Sequence, residues 1–345
     1  MKKKVLSLIL VLTMGLAVTA CGTKKDDTPE KDAKTETAAD EDKDAAEPGS
    51  SGEVDMSTLK GKTIGFSQCD NGNSWRIAET ESMQAAADKY GVNLIYTDAS
   101  ADIAKQASDI EDMVAQGVDY LIVAPQEEDG LQAALQAAMD KDIPVILVDR
   151  SVNGEAGQLY TSQIMSDFIW EAEQCAKIIM ETTGEKGNIV ILQGTQGATS
   201  TNDRQKGFMD AIEGTDMNVV ADQVANYVMD EAQDVMANIL QAQGDDIDAV
   251  YCHNDDMAQG AIAAIKAAGY VPGKDIYVVG IDGPKAAMES ILAGEQLASC
   301  SCSPLFGEPA FELCARLAGG EKIDASYTNE DTLYTIDNAS VDAGF

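Results

Sequence analysis

Two stretches of this chain repeat one another. Residues 115–149, AQGVDYLIVAPQEEDGLQAALQAAMDKDIPVILVD, parallel residues 242–282, AQGDDIDAVYCHNDDMAQGAIAAIKAAGYVPGKDIYVVGID. Each runs through a Gln-Gly turn, an apolar strand, a polar turn, an Ala-rich helix and a second apolar strand that ends in Asp. Strands this apolar need cover on both faces, which a parallel sheet flanked by helices supplies. Two copies in one chain imply two similarly built α/β lobes rather than one large sheet.

The same alternation extends over the chain from Lys62 onward. Strands are predicted at 63–67, 93–97, 120–124, 144–149, 159–162, 188–193, 219–224, 249–253, 277–281, 297–301 and 333–336. Helices between them include 75–90, 103–116, 131–140, 167–182, 203–213, 231–243 and 257–268. In such sheets ligands bind beyond the carboxyl ends of the strands, so the strand-to-helix turns are where site residues belong. Asp149 and Asp282 then hold equivalent strand-end positions, one in each lobe.

The first residues set the compartment. Lys2, Lys3 and Lys4 precede an apolar run over 5–18, followed by Thr19-Ala20-Cys21-Gly22. A basic end, a short apolar core and small residues before a cleavage point make a secretory signal over 1–21. The residues around Cys21 resemble the lipobox of bacterial lipoproteins, in which the cysteine is lipidated and becomes the new first residue; an ordinary N-terminal anchor is the alternative. Either places the folded part outside the cytoplasm. Residues 22–58 are polar and acidic, with no aromatic residue, and cannot offset the entropy of ordering; they are expected to be a disordered tether.

A net charge of −35 argues against nucleic acid, which needs a basic patch. The six cysteines beyond Cys21 form no CxxC pair, and His253 is the only histidine, so neither a metal site nor a cofactor is implied. These cysteines read as small apolar fillers, although an exported chain could oxidise some of them.

Only four arginines are present, and Arg76, Arg150 and Arg204 each follow a strand or lie in the turn to the next helix. Trp75 sits in an Asn/Gly/Ser turn at a helix start, where it could stack on the apolar face of a sugar ring or form a lid over apolar residues. Asp149-Arg150 ends a buried strand as a charge pair. It could cap its own loop, or offer the acceptor and donors that a polyhydroxylated ligand needs. The loop 194–204 is Gly-rich but lacks the Gly-Lys-Ser/Thr ending of a P-loop and the spacing of a dinucleotide fingerprint. It reads as a helix start with Arg204 turned inward. In 253–256, HNDD, Asp255 or Asp256 is expected to cap the next helix, leaving Asn254 for a ligand. Asp282 needs a partner, either Arg204 or a ligand hydroxyl. Lone His253 pairs with no nucleophile by motif, and no GxSxG, HExxH or SxxK arrangement is present, so no enzyme is expected.

Over residues 62–337 the chain resembles the type I periplasmic sugar-binding proteins, the ribose-binding-like subunits of ABC importers, and in particular their galactofuranose-binding subgroup. The motifs that carry this are GFSQ (65–68), SWRIAET (74–80), VAQGVD (114–119), IPVILVDRS (143–151), LQGTQGATSTNDRQKGF (192–208), HNDDMAQGAI (253–262), PGKDI (272–276) and GIDG (280–283). The resemblance implies two Rossmann-like lobes with parallel sheets joined by three hinge crossovers. Their expected extents are 59–164 with 304–329, and 165–303 with 330–345. It implies that Trp75, Arg76, Asp149 and Arg150 from the first lobe, and Arg204, Tyr227, Asn254 and Asp282 from the second, hold one monosaccharide. Tyr227 takes a position where ribose binders carry a stacking aromatic. The chain departs from the pattern at CDNGNS (69–74) and SCSP (301–304), both expected to touch the pocket.

The expected function is that of a lipid-anchored, monomeric, extracytoplasmic receptor. It would capture a monosaccharide, for example one in furanose form such as galactofuranose, and deliver it to ABC permease subunits. It would meet the membrane only through the lipid on Cys21. A sensory lipoprotein that presents a sugar or signalling molecule to a chemoreceptor or histidine kinase is the alternative.

Overall fold

Strand alternation is resolved into two faces by the packing. In the computed structural model, which describes residues 54–345, Tyr120 and Ile122 of one strand join one apolar cluster while Leu121 and Val123 join another. Both faces of that strand are therefore covered, as its unbroken apolar run requires. The expectations for the signal, for Cys21 and for most of the tether fall on residues 1–53, outside the described residues.

The first sheet begins with β1 (Thr63–Gln68), β2 (Asn93–Asp98), β3 (Tyr120–Val123), β4 (Val145–Val148) and β5 (Ser162–Met165). Between them run α1 (Ser74–Tyr90), α2 (Ile103–Gln116) and α3 (Gln132–Met139). The chain then crosses to a second sheet through α4 (Phe168–Thr183). There it lays down β6 (Lys186–Gln193), β7 (Asp216–Val224), β8 (Ala249–Cys252), β9 (Tyr277–Asp282) and β10 (Ala298–Ser301). The helices of this half are α5 (Thr199–Ile212), α6 (Met229–Gln243), α7 (Asp255–Ala267) and α8 (Lys285–Leu292). After β10 the chain returns through α9 (Gly307–Ala318), which packs on α1. It adds β11 (Ser326–Thr328) to the first sheet and finally β12 (Leu333–Tyr334) to the second.

The two sheets have matching orders, β11-β5-β4-β3-β1-β2 and β12-β10-β9-β8-β6-β7. All pairings are parallel except β10 with β12. The repeated segments therefore supply β3-α3-β4 in one lobe and β8-α7-β9 in the other. This is the expected α/β architecture of two Rossmann-like lobes, and the chain passes between them three times.

Several local expectations are corrected. The strand expected at 159–162 lies at Ser162–Met165, because Gly157 enters the left-handed region and turns the chain, its N–H donating to the Tyr160 carbonyl. The helix expected from 203 begins at Thr199; its first turn of Thr and Ser, weak helix formers, hid the start. The strand expected at 333–336 ends at Tyr334, with Ile336 exposed. The short β11 gives no apolar run to detect. The tether expected to 58 ends sooner: Met56–Leu59 form a 3-10 turn capped by Asp55, with Leu59 fully buried. The lobe break expected at 164/165 falls inside β5.

Candidate functional site

The turns after β1, β4, β6, β7, β8 and β9 converge on one small cavity between the lobes. Trp75, Arg76, Asp149, Arg150, Arg204, Tyr227, Asn254 and Asp282 all line it, together with Asn73, Ser200 and Cys302.

Two arginine–carboxylate clusters face each other across this space. In the first lobe Arg76, in the first turn of α1, donates to Glu79 one turn later at 2.8 Å and to Asp149 at 2.5 Å. In the second lobe Arg204 donates through Nε to Glu171 of α4 at 2.9 Å and through Nη1 to the His253 carbonyl at 2.7 Å. Its Nη2 lies 3.7 Å from Asp282, too far for a hydrogen bond. Asp149 and Asp282, equivalent by the repeat, are thus each placed beside a guanidinium.

Arg150 is the third cation. It donates to the carbonyl of Gln126 at 2.9 Å, stands 3.5 Å from Asp149, and its buried Nε has no hydrogen-bond partner. Its guanidinium lies over the Tyr227 ring at 5.5 Å. The Tyr227 hydroxyl is held by Ser200 and Thr201 at 2.9 and 2.8 Å. The ring also demands a glycine at 194, where an added Cβ would come within 1.9 Å of it. Asp149, Tyr227 and Asp282 all have positive φ (63°, 64° and 123°), a costly backbone state that clusters at binding sites.

Trp75 is only 5% exposed, and its indole N–H donates to the Cys302 carbonyl at 2.7 Å. It packs against Phe306 and beneath Arg76, so it both closes the pocket wall and presents an aromatic surface to the cavity. Asn73 caps α1 by accepting from the Arg76 N–H, whereas Asn71 turns away to Thr80 and Tyr96. Neither Asp255 nor Asp256 caps α7, as the sequence suggested; Asn254 does, its Oδ1 accepting from Met257 N at 3.0 Å. Asn254 nevertheless still lines the cavity. The six cysteines of the described region are buried and free.

Burial raises Asp282 well above the usual carboxylate range, and Arg204 opposes it. Burial raises Glu171 also, again against Arg204. Burial and the positive charge of Arg204 hold His253 well below 6.5, so it is neutral at neutral pH, and it does not line the cavity. Asp255 sits behind Asp282 and accepts from Gln296, Ser299 and the Gly283 N–H at 2.6, 2.5 and 2.8 Å. With no cation among these partners, burial pushes it from 3.8 up to about 7. A folded pKa above the unfolded one means stability that is full below about 3.8 and lost as pH rises to about 7. We expect the thermal midpoint of the ligand-free protein to fall over that range, and Asp255→Asn to flatten the fall. A midpoint that climbs from about pH 4 to about pH 7 would contradict this.

The family described as periplasmic binding protein domain matches residues 64–322. The chain belongs to the periplasmic binding proteins. Among its relatives, the galactofuranose-binding protein YtfQ of Escherichia coli is 36% identical over 80% of this chain and 89% of that protein. The ribose import binding protein RbsB of Bacillus subtilis is 33% identical over 93% of this chain and 95% of its own length. In structure, the binding component of the arabinose ABC transporter from Shewanella, bound to α- and β-L-arabinofuranose, superposes with a TM-score of 0.78 at 33% identity. That match covers 82% of this chain and 94% of the other. These relatives are substrate-binding proteins rather than enzymes. Periplasmic binding proteins work outside the cytoplasm, and among the described residues no helix is long and apolar enough to cross a membrane.

Sequence reasoning missed the supporting layer of this binding protein's site. Glu79 carried a signal, its i+3 spacing from Arg76 on one helix face. Glu171 lies 33 residues before Arg204 on another helix, and nothing local links them. Ser200 was hidden by the misplaced start of α5.

Proposed function

We propose that this chain captures a neutral monosaccharide, in its furanose form, between its two lobes and delivers it to an ABC importer. The observation that carries the reading is the pair of arginine–carboxylate clusters, one from each lobe, facing a single small cavity. Arg76 and Arg204 each stand beside two carboxylates, so no guanidinium excess invites an anion. Carboxylate acceptors beside guanidinium donors instead match hydroxyls, each of which both donates and accepts. The relatives that bind galactofuranose and arabinofuranose support a five-membered ring. In this reading the eight lining residues named from the sequence contact the sugar. Cys21, freed by removal of residues 1–21, carries the lipid, and the acidic segment after it lets a monomeric receptor reach the permease.

Ligand binding would shift an equilibrium between open and closed lobes. A thermal-shift panel of pentoses, hexoses, furanose-prone sugars and nucleosides tests the class. A ligand at a hundred times its dissociation constant stabilises by roughly 2.7 kcal/mol. A panel in which only sugar acids or sugar phosphates raise the midpoint would overturn the charge argument. Trp75→Phe is expected to remove most of a ligand-induced fluorescence change, because Trp75 lines the cavity and Trp170 packs on the core. A full signal from Trp170 alone would contradict that.

A further inference from the structure

Asp256 belongs to the HNDD stretch, yet it neither lines the cavity nor caps its own helix. Its carboxylate leaves the second lobe and meets the first residue of α1. The Ser74 N–H donates to Oδ2 at 2.9 Å and the Ser74 hydroxyl to Oδ1 at 3.0 Å. The first N–H groups of a helix have no partner within it, and the positive end of the helix dipole favours an anion there. The helix's own cap, Asn73, already takes the Arg76 N–H and leaves that of Ser74 free. Asp256 therefore completes the capping of α1 from across the cleft. The two residues that follow Ser74 are Trp75 and Arg76, the aromatic surface and the cation of the first lobe's half-site.

We infer that Asp256 is a positioning residue that holds the lobes closed by capping α1, and that it sets ligand residence without touching the ligand. The inference rests on the proposed capture of a sugar between closing lobes. Apparent affinity scales with the population of the binding-competent state, so a contact made only on closure tightens every ligand alike. The pair faces another inter-lobe contact beside the cavity, where the Glu128 N–H donates to the Gly197 carbonyl and Asn202 donates to the Glu128 carboxylate. Those bonds do not involve α1, whereas the capping pair fixes the helix start that carries Trp75 and Arg76, alongside the Trp75 indole bond to the Cys302 carbonyl.

The test is stopped-flow dissociation, followed by tryptophan fluorescence, with D-galactose, L-arabinose and D-ribose as probes. Wild type is compared with Asp256→Ala, Asp256→Asn, Ser74→Ala and the Ser74→Ala/Asp256→Ala double variant. Asp256→Ala is expected to speed dissociation about three- to tenfold, the range for a charge-assisted but partly solvated contact, with the association rate nearly unchanged. Asp256→Asn, which keeps an acceptor oxygen, should recover part of the loss. The double variant should lose less than the sum of the two single ones. The unfolding midpoint of the ligand-free protein should not move, since the contact joins lobes rather than packing either. Unchanged dissociation in Asp256→Ala, or fully additive losses in the double variant, would overturn the inference. If wild type bound none of the probes, the proposed function would fall rather than the capping role.

Discussion

Arg150→Ala is expected to abolish sugar binding while leaving the fold intact. Hydrogen bonds to charged groups contribute about 1.5–3 kcal/mol each, so losing two of them lowers affinity by at least about 100-fold. The fold should survive because Arg150's own protein partners are modest. It holds the carbonyls of Pro125 and Gln126, and its contact with Asp149 is long, while Asp149 keeps the shorter bond to Arg76. Titration calorimetry with a sugar that stabilises wild type reads the affinity, and circular dichroism reads the fold. Retained affinity would remove Arg150 from the site.

Arg204→Ala should do something different, because Arg204 is a structural hub as well as a proposed ligand donor. It is 97% buried, with Glu171 and Asp282 on one side and the His253 carbonyl on the other. Removing one partner of a buried ion pair typically costs 3–5 kcal/mol, since a charge is left without compensation. We expect a loss of about that size in chemical denaturation near pH 8, together with lost binding. At lower pH the loss should shrink, because burial already favours the protonated forms of Glu171 and Asp282, and a proton can replace the missing cation. A loss that stayed constant between about pH 5 and about pH 8 would show that these carboxyls do not take up the proton.

The candidate site was legible as a cluster of residues because they sit where the fold class must place them. Once the repeat marked Asp149 and Asp282 as equivalent strand ends, both lobes could be oriented, and the rare arginines in the following turns fell on the same edge. What could not be read was the layer behind that edge. Whether Arg204 meets Glu171 depends on α4 packing against α5, and local sequence carries no trace of that. Helix starts were misjudged for a related reason. Thr199-Ser200-Thr201 form a helical turn because tertiary burial overrides their weak propensity, and Asn254 caps α7 ahead of two aspartates that are drawn to other partners. β11 escaped notice because a three-residue edge strand owes its place to β5 rather than to its own residues.

That edge strand bears on how the chain acquires its structure. β5 is paired by β4 on one side, and on the other by residues that follow it by about 160 positions, since Gln163 pairs with Ser326. As the chain emerges from a ribosome, the first lobe presents an unpaired strand edge until residues 326–328 have been made. Open edges invite association with other chains, and closing so long a loop is slow. An exported protein of this topology gains from being kept unfolded until it has crossed the membrane, where both sheets can be completed at once.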